Sequence, residues 1–152
     1  MSKLNWQCLT FHSLTPAQLY GLLQLRSAVF VVEQACIYQD LDDLDQDAMH
    51  LVGYLDEQLA CYARLIPPGV KYDEPAIGRI TSHPSLRRHG YGRAAVKKAI
   101  QICQDIWPAA GIRISAQQRL ENFYREFSFR PVSAAYLEDG LPHVEMFRPG
   151  NE

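Results

Sequence analysis

The stretch that decides the fold is AIGRITSHPSLRRHGYGRAAVKKAI, residues 76–100. It reads as a strand, a basic glycine loop and a helix. Ile77, Ile80 and Thr81 favour extended backbone, and Pro84 removes a donor and ends the run. Gly90 and Gly92 let the backbone approach a ligand with no Cβ in the way. Ala94, Ala95, Val96, Ala99 and Ile100 then form an apolar stripe at helical spacing. The loop therefore feeds a helix N-terminus, whose free amides and dipole suit phosphate, and Arg87, Arg88, His89 and Arg93 crowd the same turn with basic groups.

The hexapeptide Arg87-Arg88-His89-Gly90-Tyr91-Gly92 resembles the R/Q-x-x-G-x-G/A signature of the GNAT superfamily of N-acetyltransferases. Two further stretches carry the likeness over most of the chain. Asn122 to Phe129, NFYREFSF, is similar to the family's late helix and the strand that follows it. Leu25 to Gln34, LRSAVFVVEQ, with Tyr38, Asp40, Asp42, Asp45 and His50, resembles the ElaA-like subgroup. The resemblance implies acetyl-CoA as co-substrate. The loop from Arg87 to Arg93 holds its pyrophosphate, Ile80, Thr81 and Ser82 of the central strand flank the pantetheine arm and the thioester, and Asn122 and Tyr124 stand at the sulfur end. Direct acetyl transfer to a primary amine follows, with a strand N–H polarising the thioester and Tyr124 protonating the thiolate. In many relatives a glutamate near the central strand is the base, yet residues 76–82 contain no carboxylate. Glu33 or His50, acting through water, is the expected base, and Arg26 the expected partner of Glu33. Arg88 stands where the family's first loop glycine does, and Ser128 where a glycine precedes the aromatic; a positive φ at Ser128 would be strained.

Working outward, 152 residues suffice for one domain with a sizeable core, and the expected unit is a single N-acetyltransferase domain, 1–152. A net charge of −2 gives no general field for nucleic acid or an anionic membrane. Met1 to Thr10 lacks a signal-peptide core, and no apolar run approaches the ~20 residues that span a bilayer, so a cytoplasmic location is expected. Cys8, Cys36, Cys61 and Cys103 form no C-x-x-C pair and read as small hydrophobes. No metal is expected: counted from Asp40 as a calcium loop, the sixth position is Asp45 where glycine belongs, and the twelfth is Leu51 in place of glutamate.

Taken in order, Asn5 to His12 is a first strand, and Thr15-Pro16 caps and opens a long helix with a break near Gly21. Tyr38 to Asp47 has five aspartates in the eight positions from Asp40 and no apolar period, so it reads as an acidic loop. A loop of that charge near the cleft attracts a cationic acceptor amine. Met49 to Leu55 and Leu59 to Ile66 form a hairpin. Ile112 to Ser115 is a strand parallel to the central one, Gln117 to Phe127 a helix, Arg130 to Val132 an extended piece, Glu138-Asp139-Gly140 a turn and His143 to Phe147 a last strand. The order β-α-β-β-β-α-β-α-β-β is a mixed sheet flanked by helices, an α/β domain.

Two other readings share these residues. Gly90-x-Gly92-x-x-Ala95 also matches a dinucleotide fingerprint, but the strand Ile112 to Ser115 ends without the carboxylate that would hold a ribose. A module that binds acetyl-CoA without turnover is the rival class; it would have no need of a tyrosine at the sulfur. Small amines, amino-sugars, polyamines, peptide N-termini and protein lysines all fit as acceptors. The oligomeric state is open, a homodimer included.

Overall fold

The computed structural model describes residues 3–151, so Met1, Ser2 and Glu152 of the expected domain lie outside the described residues. An eight-stranded sheet has the order β1-β2-β3-β4-β5-β8-β6, with β7 added on β8. Its strands are β1 (Asn5–Thr10), β2 (Met49–Leu55), β3 (Gln58–Ile66), β4 (Ala76–Ser82), β5 (Ile112–Gln117), β6 (Arg130–Pro131), β7 (Tyr136–Glu138) and β8 (Leu141–Arg148). Neighbours run antiparallel except β4 and β5, which are parallel as expected.

Helices cover both faces. α2 (Tyr91–Ile106) buries the stripe Ala95, Val96, Ala99, Ile100 and Cys103. With α3 (Glu121–Arg125) it packs over Leu51, Leu65, Ile114 and Met146. Each fully buried Val or Ile there contributes about 1.5–3 kcal/mol. The other face is covered by α1 (Pro16–Arg26), whose Leu22 and Leu25 meet Val52 and Tyr62. Thr15 caps α1 in a reciprocal capping box with Gln18.

The structure revises three boundaries. α1 does not break at Gly21; it widens into a π-helix over Ser27–Glu33, a form often found at functional sites. The expected helix from Gln117 shortens to α3, because β5 continues through Gln117. Glu138 belongs to a strand, since the hairpin turn is made by Asp139 and Gly140 alone, with φ of 51° and 79°. Two left-handed residues in succession make the type I′ geometry that a two-residue hairpin favours.

Two features of β4 position the site. Opposite Ala63 the strand carries two residues, Arg79 and Ile80, and Arg79 has a φ of 53°, so β4 bulges there. Its parallel pairing with β5 is confined to Ala76 and Arg113. Beyond that bridge the two central strands diverge, and the gap between them is the cleft.

Candidate active site

The cleft has two chambers. The first, about 440 Å³, is lined by Ile80, Thr81 and Ser82 of β4, Arg87 and Gly92 of the loop, Glu33 of the π-helix, and Phe123 and Tyr124 of α3. Gly90 caps α2 with a φ of 78° and no side-chain hydrogen bond. The first amides of α2 are thus left for a ligand. A Cβ built at Gly92 meets nothing within 4 Å, so no neighbour in the fold requires glycine there. Gly92 itself lines the chamber. Arg88, in the position of the family's first glycine, takes a φ of 67°, the left-handed region that glycine occupies without cost. Ser128 has a φ of 69°, as its place after the late helix required.

The second chamber, about 120 Å³, lies on the far side of the bulge, between β4, β5 and the β7–β8 hairpin. Gln34, Tyr38, Lys71, Arg79, Glu138 and His143 bring polar groups to its wall. Cys36 Sγ donates to the Asp139 carbonyl at 3.3 Å and ties the end of the π-helical segment to the hairpin turn. Six residues line both chambers: Phe30, Gln34, Ile80, Gln117, Leu120 and Tyr124.

Tyr124 stands at that junction. It is buried against Phe123 and Phe129 in edge-to-face contacts with centroids 5.2 and 6.0 Å away. Burial pushes its phenol up to about 12. Burial thus favours the neutral phenol.

Several expected residues sit elsewhere. His50 is fully buried in β2, its Nδ1 2.6 Å from the Tyr62 hydroxyl and its Nε2 2.9 Å from the Asp45 carbonyl, and it lines neither chamber. Burial pulls its pKa down. His50 is a core residue, since both ring nitrogens are already used. Glu33 lines only the first chamber, where both its oxygens accept from Arg87 at 2.6 Å. That hydrogen bond holds its carboxyl below the usual range. Glu33 is thus tied to the glycine loop and does not line the second chamber. Arg26 does not pair with Glu33: Asp40 at 2.9 Å and Asp45 at 2.7 Å hold it in the core. Arg93 is drawn onto α3, over Phe123 and Phe127 and 3.1 Å from Glu126. Asn122, Arg88 and His89 are exposed.

The acidic loop departs furthest from expectation. Asp40, Asp42 and Asp45 are not solvated charges; they neutralise three arginines from separate elements. Arg64 of β3 reaches Asp42 at 2.8 Å and Asp45 at 3.0 Å, and Arg79 of the bulge reaches Asp40 at 2.7 Å. Arg79 also lies over the Tyr38 ring. A non-glycine residue at positive φ persists only where its surroundings hold it, and here the loop does so. The five aspartates are legible in the sequence, but the arginine partners of Asp40, Asp42 and Asp45 lie 14 to 39 residues away. The sequence reading gave Glu138 only to a turn and His143 only to the closing strand, and Tyr136 to no element.

Comparison with known proteins agrees with this geometry. The acetyltransferase (GNAT) domain profile matches residues 15–148. The chain is 42% identical to the protein ElaA of Escherichia coli over 95% of this chain and 96% of that one. The crystal structure of Escherichia coli ElaA superposes with a TM-score of 0.88 at 41% identity, covering 95% of this chain and 99% of that one. An acyl-CoA N-acyltransferase from Pseudomonas aeruginosa superposes with a TM-score of 0.91 at 40% identity, over the same shares of the two chains.

Proposed function

The chain belongs to the GNAT acetyltransferase family, in a subgroup that includes ElaA, and on that basis we propose that it transfers an acetyl group from acetyl-CoA to a primary amine. The observation that carries the reading is the pair of chambers meeting at Tyr124 and Ile80, one beside a phosphate-type helix N-terminus and one walled by polar side chains. Acetyl-CoA would enter the larger chamber with its pyrophosphate on the amides of residues 91–93 and on Arg87. Its pantetheine arm would pair with the free edge of β4.

Three demands then fall on the protein. The amine must lose a proton, because ammonium has no lone pair; the thioester oxygen must be stabilised as it gains charge; and the departing thiolate must be protonated. The backbone beyond the bulge, Ile80 to Ser82, supplies the N–H for the oxygen. Tyr124 supplies the proton for sulfur. With a phenol near 12 and an ordinary thiol near ~8.5, the transfer would be uphill by about 5 kcal/mol. Burial raises thiols as well, and it lifts Cys61 and Cys103 of this protein to about 12. Those two thiols lie in the core, and a CoA sulfur shielded from water beside Tyr124 would be raised in the same direction, which narrows the gap.

The acceptor is a cationic amine. The support for this is no longer the Asp40–Asp47 loop, whose carboxylates are largely spent on arginines, but Glu138 and Asp139 at the second chamber. Release of free thiol from acetyl-CoA across a panel of amines, with mass-spectrometric detection of the acetylated product, tests the reading. Binding of acetyl-CoA with no turnover on any amine would favour a sensor instead.

A further inference from the structure

The proposed reaction lacks a base, since Glu33 is tied to the glycine loop and His50 is closed in the core. The second chamber contains one. On β8, His143 is 7% exposed and lines that chamber. Its Nδ1 lies 2.8 Å from the Leu141 carbonyl. A carbonyl only accepts, so Nδ1 carries the hydrogen and Nε2 is the nitrogen through which the ring exchanges a proton. That nitrogen is 3.4 Å from Glu138 Oε2. A proton on Nε2 joins the ring to that carboxylate.

The carboxylate is itself held. Ser115 Oγ lies 3.3 Å from Glu138 Oε1 and 2.5 Å from the Tyr136 hydroxyl. When Ser115 donates to the carboxylate it accepts from Tyr136, so the chain Tyr136–Ser115–Glu138 ends on His143. The Tyr136 ring also stacks on the imidazole, with centroids 6.2 Å apart and planes at 26°. The ring is thus fixed from three directions at the wall of the chamber.

Resting on the acetyltransferase reading, we propose that His143, oriented by the Leu141 carbonyl and backed by Glu138, is the general base that takes a proton from the acceptor ammonium. The step balances. The ammonium gives one N–H proton to His143 Nε2, where Glu138 accepts a hydrogen bond from it, and the freed lone pair forms the N–C bond. The C–S bond breaks, sulfur takes the Tyr124 proton, and the second amine proton re-protonates Tyr124. His143 returns its proton to solvent. Besides Glu138, the chamber holds Asp139, which favours a charged ring, and Arg64, Lys71 and Arg79, which oppose it; Tyr38, Tyr72 and Tyr124 are neutral.

The test is the pH dependence of kcat/KM on the best amine of the panel, for wild type, His143→Gln and Glu138→Gln, with acetyl-CoA affinity from calorimetry. His143→Gln should lose on the order of 10²-fold in kcat/KM and the acid limb of the profile, with acetyl-CoA affinity unchanged. Glu138→Gln should keep the limb but move it to lower pH, because the ring loses the negative neighbour that favours its charged form. Wild-type rate and acid limb in His143→Gln would overturn the base. If that variant fails to fold, an unmoved limb in Glu138→Gln overturns it instead. A wild type that turns over no amine would sink the acetyltransferase reading and this base with it, whereas turnover with unchanged profiles in the variants removes only the base.

Discussion

The two chambers are built by opposite means. The larger chamber takes its proposed ligand groups locally: one strand, one turn and the first residues of one helix, Ile80 to Gly92, supply backbone amides and Arg87, while the π-helical segment and α3 close the remaining wall. The acceptor side is assembled from the π-helical segment, the β4 bulge, β5 and the β7–β8 hairpin, and its shape depends on buried ion pairs between residues far apart in sequence. A site made of backbone tolerates change in its side chains. A site held by buried charge depends on every partner being present.

The strongest break of that contrast is Arg64→Met. Removing one partner leaves Asp42 and Asp45 short of counter-charge in the interior, which costs about 3–5 kcal/mol. For a chain of this size the melting temperature should fall by roughly 6–20 °C, read by calorimetry. Loss of under 1 °C would mean that the network is solvated and holds nothing.

On the donor side the matching break is Gly92→Glu. The new Cβ meets nothing in the fold, so stability should hold while the carboxylate enters the phosphate position. Acetyl-CoA affinity should fall at least ~10²-fold, about 2.8 kcal/mol, by titration calorimetry. Gly90→Asp is a poorer probe, because the φ of 78° adds backbone strain to the electrostatic effect. Unchanged affinity in Gly92→Glu would move the phosphates away from this loop.

At the junction, Tyr124→Phe deletes one hydroxyl and keeps the ring among Phe123 and Phe129. With chemistry rate-limiting, kcat should fall on the order of 10²-fold while acetyl-CoA binding and melting temperature stay level. A wild-type kcat would return Tyr124 to the core and leave the thiolate to depart unprotonated.

What was legible in the sequence follows the same division. The order of elements through α3, the parallel β4–β5 pair and the glycine loop were readable because periodicity and turn chemistry act over a few residues. Tyr124 was named from its family position, and it lines both chambers. His50 and Glu33 were misplaced because a histidine or glutamate looks alike in sequence whether it is closed in the core, paired on a rim or open to a cavity. The aspartates Asp40, Asp42 and Asp45 show as a charge run, and only tertiary structure shows Arg26, Arg64 and Arg79 arriving to neutralise them. His143 alternates correctly for a strand, but the strand pattern does not reveal that its face opens on a chamber.

Acid sharpens the comparison, because it reaches the buried network before the amides. Burial raises the Asp42 carboxyl, but hydrogen bonds and charge from Arg64, with help from the Leu44 amide and Arg79, outweigh it and hold the pKa at about 2. The folded state thus binds this proton less readily than the unfolded chain, near ~3.9. The pairing stabilises fully above that value and is lost as pH falls through about 2, a contribution of roughly 2 kcal/mol. Asp42→Asn should therefore flatten the drop in urea-unfolding stability between about pH 4 and pH 2; an equally steep drop would assign the acid sensitivity to other carboxylates.

The smallest expected effect is also the one that separates the two chambers most cleanly. Glu33 and Arg87 make a two-pronged ion pair at the donor rim, with side chains 41% and 39% exposed. A pair so open to solvent adds little to stability. It does engage Arg87 before any ligand arrives, so phosphate must compete with a carboxylate for the guanidinium. Glu33→Gln removes the competing charge and keeps the shape. Acetyl-CoA should then bind a few-fold more tightly at low ionic strength, with the gain fading as salt rises. The acid limb of kcat/KM should not move, since Glu33 does not line the acceptor chamber. Weaker binding would show that the pair pre-orients Arg87 for phosphate. A shifted acid limb would bring Glu33 back as a proton acceptor and remove the division between a donor side of amides and an acceptor side of buried charge.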